Sequence, residues 1–132
     1  MKLALGIGCD RGTPAATIAR AAQEALAGLH ATMQDVAALA SIDLKADEAG
    51  LLEFAASAGK DIAFYPAARL AEVRVPHPSE TVRRYTGTPS VSEAAALLAA
   101  NVGMDGLLVE KYKLRGPDNR NVTISIARVN NE

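Results

Sequence analysis

An apolar run from Leu3 to Cys9 ends in glycines and leads, through Gly12, into Thr13-Pro14 and an alanine-rich stretch with helical spacing. A strand, a glycine turn and a helix start in that order commit the N-terminal segment to a strand, loop and helix, on which the rest must pack. The helix is expected from Pro14 to about Ala27, with Thr13 as its cap, Ile18, Ala22, Ala25, Leu26 and Leu29 at helical spacing, and Gly28 weakening its end. Val36 to Ile42 reads as a second strand. Asp47 would cap a helix carrying Leu51, Leu52, Phe54, Ala55 and Ala58 up to Gly59, and Asp61 to Tyr65 makes a third strand.

A short helical piece at Ala67 to Ala71 leads into Val73 to Thr88, where Pro76, Pro78 and Gly87 predict an extended, mobile connection rather than a helix. Ser90 followed by Glu93 has the capping-box spacing ahead of Ala94 to Ala100, so a buried helix is expected there, ending near Gly103. Leu107 to Leu114 and Asn121 to Val129 flank the turn-rich Arg115 to Arg120, and Val122, Ile124 and Ile126 alternate with Thr123 and Ser125 as in a half-buried hairpin strand. The expected fold is α/β: a single-domain sandwich over residues 1–132, with a mixed sheet flanked by helices and a C-terminal β-hairpin.

Composition narrows what fills that frame. Twenty-seven of the 132 residues are alanine, and the aromatics are five: Phe54, Phe64, Tyr65, Tyr85 and Tyr112. The core is therefore built from small aliphatics, and few rings are on hand to stack bases. A net charge of −1 gives no general attraction to nucleic acid or anionic membrane, so any anion site must be local. One cysteine, Cys9, allows neither an internal disulfide nor a multi-cysteine zinc site, which points to a reducing compartment. The first residues superficially resemble a lipoprotein signal, but their apolar stretch is too short, and no apolar run approaches the ~20 residues that span a bilayer. A soluble, cytoplasmic protein is expected.

Three constellations have chemical potential. Gly6-Ile7-Gly8-Cys9-Asp10-Arg11-Gly12-Thr13 is a glycine-rich turn at a helix start, where free N–H groups, the helix dipole and the Arg11 guanidinium favour an anion. The third glycine falls one place late for G-x-G-x-x-G and no Gly-Lys-Ser/Thr follows, so no dinucleotide or P-loop cofactor site is indicated, and a tight turn without ligand explains the motif equally well. Cys9 lies where the dipole and Arg11 would lower a thiol pKa, although a packing role is the simpler expectation. Ser41-Ile42-Asp43-Leu44-Lys45 with Asp47 and Glu48 follows a strand, at the end where open α/β sheets bind ligands; a lysine–carboxylate pair there could act as acid and base, or simply be solvated. Gly87-Thr88-Pro89-Ser90 offers a second edge of N–H groups and hydroxyls, for which capping alone also accounts. Around it stand Arg69, Arg74, Arg83 and Arg84, and the hairpin adds Lys111, Lys113, Arg115 and Arg120. His30 and His77 are isolated, so no metal site is expected.

Gly6-Ile7-Gly8-Cys9 with Arg11-Gly12-Thr13, Ser41 to Lys45 with Glu48, Val75-Pro76-His77-Pro78-Ser79-Glu80, and Gly87 to Val91 with Glu93 to Leu97, in this order, resemble the C-terminal domain of the cobalamin-biosynthesis protein CbiG and its stand-alone form, CobE. His77 stands where the family pattern has asparagine. The resemblance implies a part in corrin ring synthesis, with a precorrin or corrinoid intermediate as the ligand and other enzymes of cobalamin biosynthesis as possible partners. In the larger CbiG the implied activity opens the δ-lactone of a cobalt-precorrin-5 intermediate and releases acetaldehyde. Such a macrocycle is fringed with carboxylates, which suit N–H loops and cations. The candidate ligand-binding residues are Gly8, Cys9, Arg11, Gly12, Thr13, Ser41, Lys45, Gly87, Thr88 and Ser90; for a hydrolase, Asp43, Lys45 or Glu48 would move protons.

Overall fold

A computed structural model describes residues 1–130. Five strands form one sheet: β1 (Leu3–Cys9), β2 (Val36–Ile42), β3 (Ile62–Tyr65), β4 (Leu107–Arg115) and β5 (Asn121–Arg128), in the order β3-β2-β1-β5-β4. β1 pairs in parallel with β2, and β2 with β3, whereas β5 runs antiparallel to both β1 and β4. The mixed sheet with its terminal hairpin is as the sequence predicts.

The helices are α1 (Ala15–Ala27), α2 (Ala49–Ala58), α3 (Ala67–Ala71), α4 (Glu80–Thr86) and α5 (Ser92–Ala100). Alternation along β1 sorts the layers. Leu3, Leu5 and Ile7 point to one face, where they join Ile18 and Leu26 of α1, Leu51 and Phe54 of α2, and Val122, Ile124 and Ile126 of β5 in the main core. The intervening Ala4 faces the other way, with Ala96, Leu97, Ala100 and Ala127, and Ala40 and Ile42 meet Ala94, Ala95 and Leu70 there. Large aliphatics thus dominate one face, and alanines outnumber them on the other. On the small-residue face α5 lies so close that a Cβ on Gly6 would stand 1.9 Å from the Ser92 carbonyl oxygen.

Five local expectations are corrected. α1 begins at Ala15 with Pro14 at its cap position, because the Thr13 hydroxyl instead donates to the Asp10 carbonyl at 2.7 Å and closes the preceding turn. Glu48, not Asp47, occupies the cap position of α2, since Asp47 is drawn to the Arg11 guanidinium at 2.9 Å. The segment expected to be extended contains α4. Its prolines precede the helix rather than interrupt it, the Ser79 hydroxyl accepts from the Val82 N–H at 3.2 Å, and Gly87 (φ 83°) ends it in the left-handed region. The capping box at Ser90 does not form: α5 starts at Ser92, so the Ser90 hydroxyl is too far upstream for the helix amides and donates to Glu93 Oε1 at 3.1 Å. α5 also stops at Ala100, where Asn101 (φ 57°) takes the left-handed cap that glycine often fills.

Candidate ligand-binding cleft

The ends of β1 and β2 open into a cleft of about 380 Å³, at the carboxyl edge of the parallel strands where the neighbour of β1 changes from parallel β2 to antiparallel β5. Its floor is Gly8 and Cys9 of β1 with Ile42 at the end of β2 and Lys45 just beyond it. One wall is α4 with its cap residue, presenting Ser79, Thr81, Tyr85 and Thr86; Ser90 and Ser92 close the back, and Lys111, Lys113 and Thr123 of the hairpin form the far side.

Of the residues nominated by sequence, Gly8, Cys9, Lys45 and Ser90 line the cleft. Arg11, Gly12, Thr13, Ser41, Asp43, Glu48, Gly87 and Thr88 do not. Arg11 instead forms a clasp between two loops, donating to Asp47 Oδ1 at 2.9 Å, Glu48 Oε2 at 3.3 Å and the Leu44 carbonyl at 2.7 Å. The buried Glu48 carboxylate completes the clasp by accepting from the Gly12 N–H at 2.8 Å. The guanidinium beside it holds the Asp47 carboxyl below its ordinary range. Ser41 is fully buried and donates to the Ile7 carbonyl at 2.6 Å, and buried Thr88 donates to the Ser90 carbonyl at 3.2 Å. Among the nominated proton-transfer residues, Lys45 alone reaches the cleft, while Asp43 is exposed in the turn after β2.

The hairpin cations also divide. Arg120 holds the Arg11 carbonyl and Asp118, and Arg115 reaches the Asn121 side chain. Lys111 and Lys113 face the cleft together with Lys45. Lys111 donates to the His77 carbonyl at 2.9 Å and lies 3.8 Å from Glu93 Oε1; among the described residues the ammonium groups of Lys45 and Lys113 make no hydrogen bond or ion pair. Asp10 is the acidic residue on the rim, and its carboxylate is engaged by the backbone and side-chain nitrogens of Asn121 at 2.8 and 3.0 Å. A cleft lined by three lysines and a ring of hydroxyls is a carboxylate-binding environment.

Sequence reasoning missed the contribution of α4 and undervalued the two hairpin lysines. Two signals were present. Ser79-Glu80 after Pro78 is a helix start, and lysines two apart in a strand share a face.

Burial pushes the Cys9 thiol up to about 11, against the opposing pull of Lys45. At neutral pH the group is a thiol rather than a thiolate. Alkylation by iodoacetamide at pH 7.5 is therefore expected to run more than about tenfold slower than for a free cysteine and to accelerate steeply toward pH 10. Fast labelling at neutral pH would contradict this environment. No group of three or more metal-ligating side chains gathers among the described residues, and none of their helices is long and apolar enough to cross a membrane.

Comparison with known proteins places this geometry in a lineage. The chain is 43% identical over 127 residues to a cobalt-precorrin-5A hydrolase from Priestia megaterium, an alignment covering 96% of this chain and 32% of that relative, so the chain spans about a third of the larger protein. It is 41% identical over 109 residues to Protein CobE from a Sinorhizobium species, covering 81% of this chain and 70% of that one. The crystal structure of CobE, a protein from the cobalamin (vitamin B12) biosynthetic pathway, superposes with a TM-score of 0.79 at 32% identity, covering 95% of this chain and 93% of the other. Residues 3–127 match the family described as Cobalamin synthesis G C-terminus, and with that match over nearly its whole length the chain belongs to this CobE/CbiG C-terminal family of cobalamin biosynthesis.

Proposed function

We propose that the chain binds and carries or sequesters a precorrin or corrinoid intermediate, holding its peripheral carboxylates in the cleft at the ends of β1 and β2. The observation that carries this reading is the convergence of Lys45, Lys111 and Lys113 on one cleft, two of them with ammonium groups that make no hydrogen bond or ion pair among the described residues. Ammonium groups left unpaired in a concave, hydroxyl-lined site favour a polyanionic ligand over a neutral one. A volume of about 380 Å³ lies at the small end of ligand pockets, which suits one edge of a macrocycle with its acetate and propionate arms rather than the whole ring. Tyr85, 78% exposed on the cleft lip, offers the face of the ring an aromatic surface.

The test is direct. Purified protein mixed with hydrogenobyrinic acid and passed through a desalting column should emerge coloured at low salt, with retention falling as salt rises; a colourless protein fraction overturns the carrier reading.

A second reading has its own support in the 43% identity to a cobalt-precorrin-5A hydrolase. Here the protein, alone or within a larger assembly, would open a ring-contracted δ-lactone, with Lys45 as the candidate proton-transfer group on the cleft floor. Acetaldehyde release from the lactone intermediate, lost in Lys45→Ala, would favour this reading; bound ligand recovered with its lactone intact favours the carrier. A role as accessory subunit of another enzyme of the route would instead show as copurification without ligand.

A further inference from the structure

Glu93 is fully buried in the first turn of α5, directly behind the cleft wall. Its Oε1 accepts from the Ser90 hydroxyl at 3.1 Å and lies 3.8 Å from Lys111 Nζ, and both of those groups line the cleft. Oε2 has no hydrogen-bond partner among the described residues. A buried carboxylate with one orphaned oxygen is costly to keep ionised, and here its charge rests on a single lysine that also faces the proposed ligand. The other charged groups around α5 are few. β4 brings Glu110, the loop before α4 brings His77, which is hydrogen-bonded to Glu110 at 2.6 Å, and α3 brings Arg69, which lies over Tyr65. β1 and β2, which α5 covers, carry no charged residue, and β5 carries only Arg128 at its end.

We propose that Glu93, Ser90 and Lys111 form a proton-coupled carboxylate subsite, in which capture of a ligand carboxylate by Lys111 is accompanied by uptake of one proton onto Glu93. The inference rests on the ligand class proposed above. An arriving carboxylate draws the Lys111 ammonium toward the cleft and adds a negative charge beside Glu93, so both changes favour its neutral form. The proton comes from solvent. Once neutral, Glu93 donates from Oε1 to the Ser90 oxygen, and the Ser90 hydroxyl is released from Glu93 to donate into the cleft. The ligand carboxylate then meets two donors, Lys111 and Ser90, with no opposing charge behind them. Burial, which raises the Glu93 carboxyl above its ordinary range against the lowering effect of Lys111 and Ser90, acts in the same direction.

Calorimetric titration of hydrogenobyrinic acid at pH 7, in two buffers of different ionisation heat, reads the proton directly. The wild-type protein should take up a substantial fraction of a proton, with affinity falling by up to about tenfold per pH unit above neutrality. Glu93→Gln should bind with little uptake and a flat pH profile, whereas His77→Asn should retain the uptake. Binding by wild type without uptake, or uptake that survives in Glu93→Gln or vanishes in His77→Asn, overturns the coupling and leaves the carrier reading standing. A ligand-free measurement keeps the two separable. Carbon NMR of the Glu93 carboxyl should show protonation at higher pH in Lys111→Met than in wild type, and an unchanged titration overturns the coupling whether or not any corrinoid binds.

Discussion

Replacing Lys45, Lys111 and Lys113 together by methionine is expected to abolish retention of hydrogenobyrinic acid on a desalting column while leaving a folded protein. A charge-assisted hydrogen bond contributes about 1.5–3 kcal/mol where it is shielded from water, and each 1.4 kcal/mol is tenfold in affinity. The three sites should therefore differ by depth. Lys111, whose side chain is 18% exposed, should show the largest single effect, about tenfold or more, and exposed Lys113 the smallest, of the size of a screened surface contact. Methionine keeps the aliphatic stem and its packing, so the comparison isolates charge. Arg11→Ala is the informative contrast. Its guanidinium joins the loop after β1 to the start of α2 through Asp47, Glu48 and the Leu44 carbonyl, so the change should lower thermal stability and barely alter affinity. Equal affinity in the triple variant and wild type, measured by calorimetry, would place the ligand elsewhere on the molecule.

That Arg11 and Lys111 exchange the roles their sequence contexts imply shows which layer of information local sequence carries. Leu3 to Cys9 and Val36 to Ile42 announce themselves as strands because continuous apolar runs are what a doubly covered parallel sheet requires, and Gly59 marks the end of α2 because only an unhindered residue readily takes its φ of 67°. Those signals are local. The cleft is not. It exists because β5 returns antiparallel beside β1, bringing Lys111 and Thr123 from the hairpin up to Gly8 and Lys45, and no short motif spans that distance. Ser90 and Glu93 illustrate the same limit at closer range. Their spacing fits a capping box, yet after the Thr88 to Ser90 turn the cap position falls one residue later, at Val91, and the same pair becomes a buried hydroxyl–carboxylate contact. α4 is masked in the sequence because prolines signal a break in the segment that contains them, whereas Pro76 and Pro78 stand just outside the helix that Ser79 caps.

The glycines of the first turn resolve into two separate physical demands, and a pair of substitutions tests that separation. Gly6→Ala is expected to lower stability by about 3 kcal/mol, at the upper end of what overpacking a core costs. The added methyl would sit 1.9 Å from the Ser92 carbonyl oxygen and 2.6 Å from the Ala96 nitrogen, both backbone atoms of α5 that no rotamer change can move aside. Relief requires the helix to lift from the sheet, and with it the alanine contacts of Ala4, Ala96 and Ala100 that depend on close approach. For a domain of this size the loss corresponds to a fall of about 10 °C in melting temperature. Gly8→Ala meets nothing nearer than the Val91 Cβ at 4.0 Å, an ordinary contact, so its stability should lie within about 0.5 kcal/mol of wild type. Because Gly8 lines the cleft floor, its methyl should instead weaken corrinoid binding by filling space the ligand uses. Thermal melts and binding titrations of the two variants should thus move in opposite columns, and a Gly6→Ala protein as stable as wild type would refute the view that the glycine before Ile7 exists to seat α5 rather than to admit a ligand.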